Sequence, residues 1–130
     1  MAFKGLDPIL TTDDMDRSVR FYVDILGFTV GTQTQGYANL YRDTVRIMLA
    51  APNAHLEWKG PKFTGQLYIS LETAEEVDAL WAKVKDRTKV IYAVDDFEYG
   101  AHEFGICDDN GYALSFGAPS VKQSAHGSNM

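Results

Sequence analysis

Apolar residues recur with helical spacing in two stretches of the chain, and both stretches carry signals for a helix start. In the first, Thr12 or Asp13 can accept hydrogen bonds from free backbone amides, and Gly27 follows the last apolar position as a helix-ending glycine. In the second, Thr73 and Glu76 have the spacing of a capping box. We therefore predict two amphipathic helices. Their apolar faces are Met15, Val19, Tyr22, Val23 and Leu26, and Val77, Leu80, Trp81 and Val84.

The remaining periodic segments have the length and composition of strands. One of them precedes each helix and three follow it. Asn110 and Gly111 predict a tight turn before the last strand, and Arg42 with Asp43 predicts an earlier one. The predicted strands are 8–12, 28–32, 37–42 and 45–50 in the first half, and 67–71, 89–94, 103–107 and 112–116 in the second.

The order strand, helix and three strands thus occurs twice at one constant interval. The same 59 residues separate Asp14 from Thr73 and Tyr22 from Trp81. Since one helix covers only one face of a sheet, we expect two such units to pair and to leave a concave groove. The alternative is an ordinary α+β domain in which the repeat is coincidental.

We predict an α+β fold with two tandem βαβββ modules in a single domain. The predicted boundaries are 1–118 for the domain, about 5–50 for the first module, 51–64 for a linker, about 65–118 for the second module, and 119–130 for a disordered polar tail.

Charge and cysteine content exclude several classes of partner and of structural site. The chain has 130 residues and a net charge of -6, a balance that repels phosphate and disfavours nucleic acid and anionic membranes. Its one cysteine, Cys107, excludes an intrachain disulfide and a CxxC zinc site, and we expect it to be a buried strand residue. We also expect no signal peptide and no transmembrane helix, and therefore a cytoplasmic location.

Two motifs resemble the glyoxalase/bleomycin-resistance/dioxygenase superfamily, which is also called the vicinal oxygen chelate superfamily. The first runs from Asp14 through Ser18, Phe21 and Tyr22 to Leu26-Gly27-Phe28. The second comprises residues 99–104 and 108–117, but His102 stands where the family usually has Arg and Asp109 where it has Pro. Over residues 5–118, the resemblance implies two βαβββ modules, a homodimer and a ligand groove.

Metal-dependent members of this superfamily use His, Gln or Glu at positions that correspond here to Asp7, Met48, Gln66 and Ser115. A thioether and a hydroxyl are poor ligands for catalytic divalent metals. We therefore predict no metal and no cofactor, and the chain resembles most the bleomycin-resistance branch, which binds a drug without chemistry. Two alternatives stay open. One is a metal-dependent glyoxalase-like lyase or extradiol-type dioxygenase with an atypical ligand set, and the other is a binding module for an unrelated metabolite.

Strand alternation and aromatic loops define the predicted ligand groove. Acidic and aromatic residues share the loop 95–99, which favours a cationic or aromatic ligand such as a bleomycin-like cation. The competing interpretation is that the strand residues fill the space between modules and the loop is a solvated charge cluster. The predicted groove residues are Asp7, Tyr41, Arg46, Met48, Trp58, Phe63, Gln66, Tyr68, Phe97, Tyr99, His102 and Ser115.

Overall fold

The computed structural model describes residues 1–53, 58, 60 and 64–120, and its architecture is α+β. The chain divides into two compact units, Met1–Lys62 and Phe63–Met130, which we call the N-terminal and the C-terminal unit. Among the described residues, each unit contains a four-stranded sheet and one helical segment. The predicted fold class is confirmed. In the described part of the chain, no helix is long and apolar enough to cross a membrane.

The N-terminal unit has the predicted order of elements. They are β1 (Ile9–Thr11), α1 (Met15–Arg20), a π-helical turn (Phe21–Ile25), β2 (Thr29–Gln33), β3 (Tyr37–Arg42) and β4 (Val45–Ala50). The strand order is β1-β4-β3-β2, with β1 parallel to β4 and the other neighbours antiparallel. Strands β3 and β4 have the predicted bounds.

Helix α1 is capped by a different residue from the two that we predicted. Asp14 is the N-cap, because its backbone is extended (φ -143°) and its carboxylate accepts a hydrogen bond from the Arg17 N–H at 3.0 Å. Thr12 is buried instead, with its Oγ1 2.6 Å from the Oγ of Ser18. The prediction of Thr12 or Asp13 as the cap was therefore wrong.

The π-helical turn changes which residues of the first helix face the core. A π turn has more residues than an α turn, so Phe21 and Tyr22 are both buried although they are adjacent in sequence. The ring of Tyr22 packs edge-on against Phe28, with 5.6 Å between centroids. Val23, which helical spacing assigned to the apolar face, is only half-buried.

The C-terminal unit repeats this plan. Its elements are β5 (Leu67–Ser70), α2 (Ala74–Val84), β6 (Lys89–Asp96), β7 (Ala101–Cys107) and β8 (Ala113–Pro119). The strand order is β5-β8-β7-β6, again with one parallel pair, between β5 and β8. The predicted cap of α2 is confirmed, since Thr73 Oγ1 accepts from the Glu76 N–H at 3.1 Å.

Strand pairing confirms the internal repeat. Ile9 of β1 pairs with Met48 of β4, and Tyr68 of β5 pairs with Ser115 of β8. Ile9 and Tyr68 are 59 residues apart, as are the two helix caps. Each sheet also has a register shift in its edge strand, after Val30 in β2 and after Val90 in β6.

Strand β8 is longer than predicted. It extends to Pro119, which pairs with Ala101, and the Ser120 N–H donates to the Gly100 carbonyl at 2.9 Å. The prediction of a disordered tail was therefore wrong for residues 119 and 120, because backbone pairing with the neighbouring hairpin fixes them. The rest of the predicted tail, 121–130, and linker residues 54–57, 59 and 61–63 lie outside the described residues.

The side chains of β7 alternate between the two faces of the C-terminal sheet. Phe104 and Ile106 are fully buried, and the Phe104 ring lies 5.2 Å from that of half-buried Trp81 in α2. By alternation, Glu103 and Gly105 belong to the opposite face. Cys107 is half-buried rather than buried as predicted, because it is the last residue of the strand.

The His102 side chain forms hydrogen bonds to both helix α2 and strand β6. Its Nε2 lies 2.6 Å from Oδ1 of Asp78, and its Nδ1 lies 2.9 Å from Oδ1 of Asp96. Partial burial lowers the pKa of His102, but the hydrogen bonds to Asp78 and Asp96 outweigh it and raise the pKa above its ordinary value of 6.5. The imidazolium therefore stabilises the contact between helix and sheet.

On the face of the C-terminal sheet opposite α2, two tyrosine rings lie over glycines of β7 and β8. A Cβ on Gly105 would lie 2.8 Å from Cδ1 of Tyr92, and a Cβ on Gly117 would lie 2.8 Å from Cζ of Tyr68. Both distances are shorter than a normal carbon–carbon contact. The two glycines therefore allow the tyrosine rings to lie flat over β7 and β8.

We expect His102→Gln to destabilise the protein mainly on the acidic side of neutrality. Since the folded pKa is raised, the contribution of His102 is fully present below the unfolded pKa and is lost as the pH rises through the folded value. Urea unfolding of both proteins at about pH 5.5 and about pH 9 measures the difference in unfolding free energy, which should be larger at the lower pH. Equal differences at the two pH values would contradict the charged contact.

We expect Gly105→Ala to lower the free energy of unfolding by about 1–3 kcal/mol, because the new Cβ overlaps the Tyr92 ring in a packed sheet. Gly36→Ala is the matched control, since a Cβ there meets no atom within 4 Å. The control should change stability by less than about 1 kcal/mol. Urea unfolding measures both variants, and an unaffected Gly105→Ala protein would contradict the close approach.

Candidate functional site

A buried carboxylate surrounded by phenols lies on the face of the C-terminal sheet opposite α2. Glu103 on β7 is only 2% exposed. The strand register brings it beside tyrosines of β5 and β6 and beside the hairpin that joins β6 to β7. We call this group the Glu103 cluster, and its members are Glu103, Tyr68, Tyr92, Tyr99 and Ser115.

Hydrogen bonds connect the members of the Glu103 cluster. The Tyr99 hydroxyl donates to Oε1 of Glu103 in a short contact. The Tyr92 hydroxyl donates to Oγ of Ser115 at 2.9 Å and also lies 3.4 Å from the same Oε1. Ser115 in turn donates to Oε1 of Gln66. Oε1 of Glu103 is thus the shared acceptor of two phenols.

The tight hairpin between β6 and β7 adds an aromatic surface to the cluster. The Phe97 ring stacks on that of Tyr99, with 5.7 Å between centroids and 10° between planes. The same ring meets Tyr92 edge-on at 5.6 Å. Asp95 and Asp96, which we predicted in this loop, belong to strand β6.

The three phenols remain protonated at neutral pH. The hydrogen bond to Glu103 raises the pKa of Tyr99 to about 12. Burial, and then a hydrogen bond to the Glu103 carboxylate, raise the pKa of Tyr68. Burial also raises the pKa of Tyr92. The tyrosines of the cluster therefore act as hydrogen-bond donors and as aromatic surfaces, not as bases.

One oxygen of Glu103 has no hydrogen-bond donor. Oε2 is buried, and it accepts no hydrogen bond from the part of the chain that the structure describes. A buried polar atom without a partner is uncommon and unfavourable in proteins. The two oxygens of one carboxylate thus differ, since Oε1 is bound by phenols and Oε2 has no partner among the described residues.

Sequence reasoning missed both Glu103 and Tyr92 as site residues. Glu103 stands inside a strand of otherwise buried residues, and a charged residue in a buried strand is itself a signal of function. Tyr92 follows a register shift in β6, which breaks the alternation that would have identified its face.

The corresponding face of the N-terminal unit is closed by an ion pair. Oδ2 of Asp7 lies 2.6 Å from Nη2 and 3.1 Å from Nε of Arg46. Hydrogen bonds of the guanidinium to Tyr41 and to Asp7, in that order, raise the pKa of Arg46. Met48 is buried, and its sulfur lies 3.5 Å from the Tyr37 hydroxyl.

The four positions that hold a metal in metal-dependent relatives do not fit one here. Asp7 already pairs with a guanidinium, whose positive charge opposes a second cation. The Ser115 hydroxyl and the Gln66 amide bind each other, and Met48 offers only a thioether. Among the residues that the structure describes, no group of three His, Cys, Asp or Glu side chains is placed to hold a metal.

The structure divides the predicted groove residues between the N-terminal unit, the C-terminal unit and positions outside both clusters. The C-terminal unit brings together Gln66, Tyr68, Phe97, Tyr99 and Ser115, and the N-terminal unit brings together Asp7, Tyr41 and Arg46. His102 lies apart from the Glu103 cluster, because it faces Asp78 of α2 across the other side of the sheet. Trp58 is half-buried, and Phe63 lies outside the described residues.

Known structures share this fold at low sequence identity. A glyoxalase/bleomycin resistance protein/dioxygenase from Nocardioides is 17% identical, with a TM-score of 0.77 over 93% of this chain and 87% of that chain. The bleomycin-binding protein of Streptomyces verticillus, complexed with copper(II)-bleomycin, is 23% identical, with a TM-score of 0.66 over 91% and 98%. A lactoylglutathione lyase from Agrobacterium tumefaciens is 18% identical, with a TM-score of 0.69 over 92% and 94%. At these identities the likeness concerns the fold.

Sequence comparison gives the family. No curated protein matches the chain significantly. The family model for the Glyoxalase/Bleomycin resistance protein/Dioxygenase superfamily matches residues 5–116, which include every strand and helix up to the middle of β8. The chain therefore belongs to the glyoxalase/bleomycin resistance protein/dioxygenase superfamily.

Proposed function

We propose that this protein binds a cationic or aromatic small molecule without a metal ion and sequesters it without making or breaking a bond. The observation that carries the proposal is the buried Glu103 carboxylate beside a continuous array of aromatic rings. A carboxylate attracts a cation, and the faces of aromatic rings add a cation–π attraction of about 0.5–2 kcal/mol per contact.

The charge of the whole protein supports a cationic ligand. A net charge of -6 raises the local concentration of cations near the surface and speeds their association. The exposed Tyr99 ring, stacked on Phe97, offers a flat surface for a planar ligand. A structural neighbour that is a bleomycin-binding protein supports a bleomycin-like cation as the concrete candidate.

The metal-dependent alternative has less support from the side chains. A lyase or dioxygenase reaction of this superfamily requires a metal to polarise its substrate or bind oxygen. In this chain, Asp7 would first have to separate from Arg46, and Ser115 from Gln66. The observation that supports this alternative is that one structural neighbour is a lactoylglutathione lyase.

We expect metal-free bleomycin to bind the chelator-treated protein with one site per chain in calorimetry. Tyr99→Ala should weaken this binding about three- to tenfold, since one aromatic contact contributes ~0.5–1.5 kcal/mol. Phe3→Ala is the matched control, because Phe3 is an exposed aromatic residue outside the site. No heat up to high micromolar bleomycin would reject the drug-specific proposal, and binding that appears only after adding a divalent metal would favour the alternative.

We also propose a homodimer in the reducing cytoplasm, since members of this superfamily usually pair and the chain has a single cysteine. Light scattering of the purified protein at micromolar concentration should give twice the chain mass of 14.5 kDa. A monomeric mass would contradict the dimer and leave the small-molecule site to be tested on the single chain.

A further inference from the structure

We propose that the cation bound beside Glu103 carries N–H groups, as a protonated amine, amidine or guanidine does, and that one of them donates to Oε2. A fully alkylated ammonium lacks such a group and would bind more weakly. The inference rests on the proposed function, for which it names the ligand class and the anchoring atom.

The two oxygens of Glu103 differ in their hydrogen-bond partners. Oε1 accepts a hydrogen bond from Tyr99 and lies near the Tyr92 hydroxyl, whereas Oε2 accepts none from the described residues. Both belong to a side chain that is 98% buried from solvent by its neighbours. A donor that reaches Oε2 removes an unfavourable buried acceptor, and so binds more tightly than the same contact at an exposed carboxylate.

The charge of Glu103 has a different environment from that of Asp7. In the part of the chain that the structure describes, Glu103 makes no ion pair, whereas Asp7 of the N-terminal unit is paired with Arg46. Buried carboxylates are ordinarily paired with a cation or strongly hydrogen-bonded. Phenols supply hydrogen bonds to Glu103 but no positive charge. A ligand with a positive charge and a hydrogen-bond donor would neutralise the Glu103 carboxylate and donate to its Oε2.

The aromatic rings and Oε2 recognise different features of a cation. The rings of Tyr92, Phe97 and Tyr99 attract any cation, with or without N–H groups. Only an N–H group can reach hydrogen-bonding distance of Oε2, because methyl groups on a quaternary nitrogen keep its charge farther away. The rings therefore give affinity, and Oε2 gives the preference for an N–H cation.

The hairpin that joins β6 and β7 carries the most exposed member of the Glu103 cluster. Tyr99 is 69% exposed although its hydroxyl binds Glu103, and it stands in the turn closed by the hydrogen bond from the Gly100 N–H to the Phe97 carbonyl. A ligand can displace this ring without disturbing the core. The Tyr99 hydroxyl at Oε1 then competes with the ligand at Oε2 for the negative charge of the same carboxylate, while its ring remains available for stacking.

The test compares benzylamine with benzyltrimethylammonium, which share an aromatic ring and a positive charge but differ in N–H groups. Both are titrated into the full chain, and the tyrosine ring signals are followed by NMR. We expect benzylamine to bind about tenfold more tightly or better, the ratio typical of one hydrogen bond to a charged group. Equal affinities, or tighter binding of benzyltrimethylammonium, would overturn the inference.

Two matched substitutions assign the preference to Glu103. Glu103→Gln removes the charge with little change of shape, and should reduce the ratio of the two affinities to about one. Glu75→Gln removes the same charge from an exposed position on α2, and should leave the ratio within about twofold of the original. A ratio that survives in Glu103→Gln, or that is lost equally in Glu75→Gln, would overturn the assignment.

A third variant tests the role of Oε2 even if Glu103→Gln folds poorly. Tyr99→Phe removes a competing hydroxyl from an exposed side chain, so benzylamine should bind at least as tightly as in the original protein. A loss of about tenfold in benzylamine affinity would instead mean that the phenol itself holds the ligand, and would overturn the role of Oε2.

The bleomycin titration separates this inference from the proposed function. Bleomycin binding without any preference between the two probes would overturn the N–H inference alone. A preference for benzylamine that depends on Glu103, without bleomycin binding, would support the inference and reject only the drug-specific proposal.

Discussion

Each unit of this protein depends on one helical segment packed against one face of a four-stranded sheet. In the C-terminal unit, Val77 and Val84 of α2 and Phe104 and Leu114 of the sheet are buried together. This packing takes up one side of every strand. Because side chains alternate, the residues between the buried ones must face away from the helix. The polar face with Glu103 is thus a direct consequence of the apolar face that stabilises the fold.

Much of this arrangement could be predicted from the sequence, because it follows from short-range patterns. The cap at Thr73, the bounds of β3 and β4, and the repeat at 59 residues all depend on local spacing. The cap of α1 was mispredicted because Thr12, Asp13 and Asp14 can all accept a hydrogen bond from the first turn. Only the backbone angle of Asp14 decides between them.

The candidate site was harder to predict, since it depends on long-range register. The shifts on both sides of Tyr92 break the alternation of β6, so that its face could not be counted from the sequence. The alternation of β7 was intact, and it correctly places His102 and Glu103 on opposite faces. The apolar Phe104 and Ile106 alternate in phase with His102 and therefore indicate that His102 faces the helix, where it contacts Asp78.

The two units differ in which side chains cover the same polar face of the sheet. Register places Tyr41 of β3 opposite Arg46, and places Glu103 of β7 opposite Gly117. In the N-terminal unit, the arginine neutralises Asp7 within the chain. In the C-terminal unit, the register that equates Met48 with Ser115 puts Ala113 in the place of Arg46, and its side chain supplies no charge. Gly117, on the same strand, leaves space that the Tyr68 ring occupies.

The chemistry of the phenols argues for binding rather than proton transfer at this face. A tyrosine with a pKa of about 12, such as Tyr99, is almost entirely protonated at neutral pH and cannot serve as a general base. The acceptor in the cluster is Glu103, and its Oε1 is already held by Tyr99. What remains is a buried oxygen, a negative charge and a set of aromatic faces. These are the features on which the proposed cation site rests.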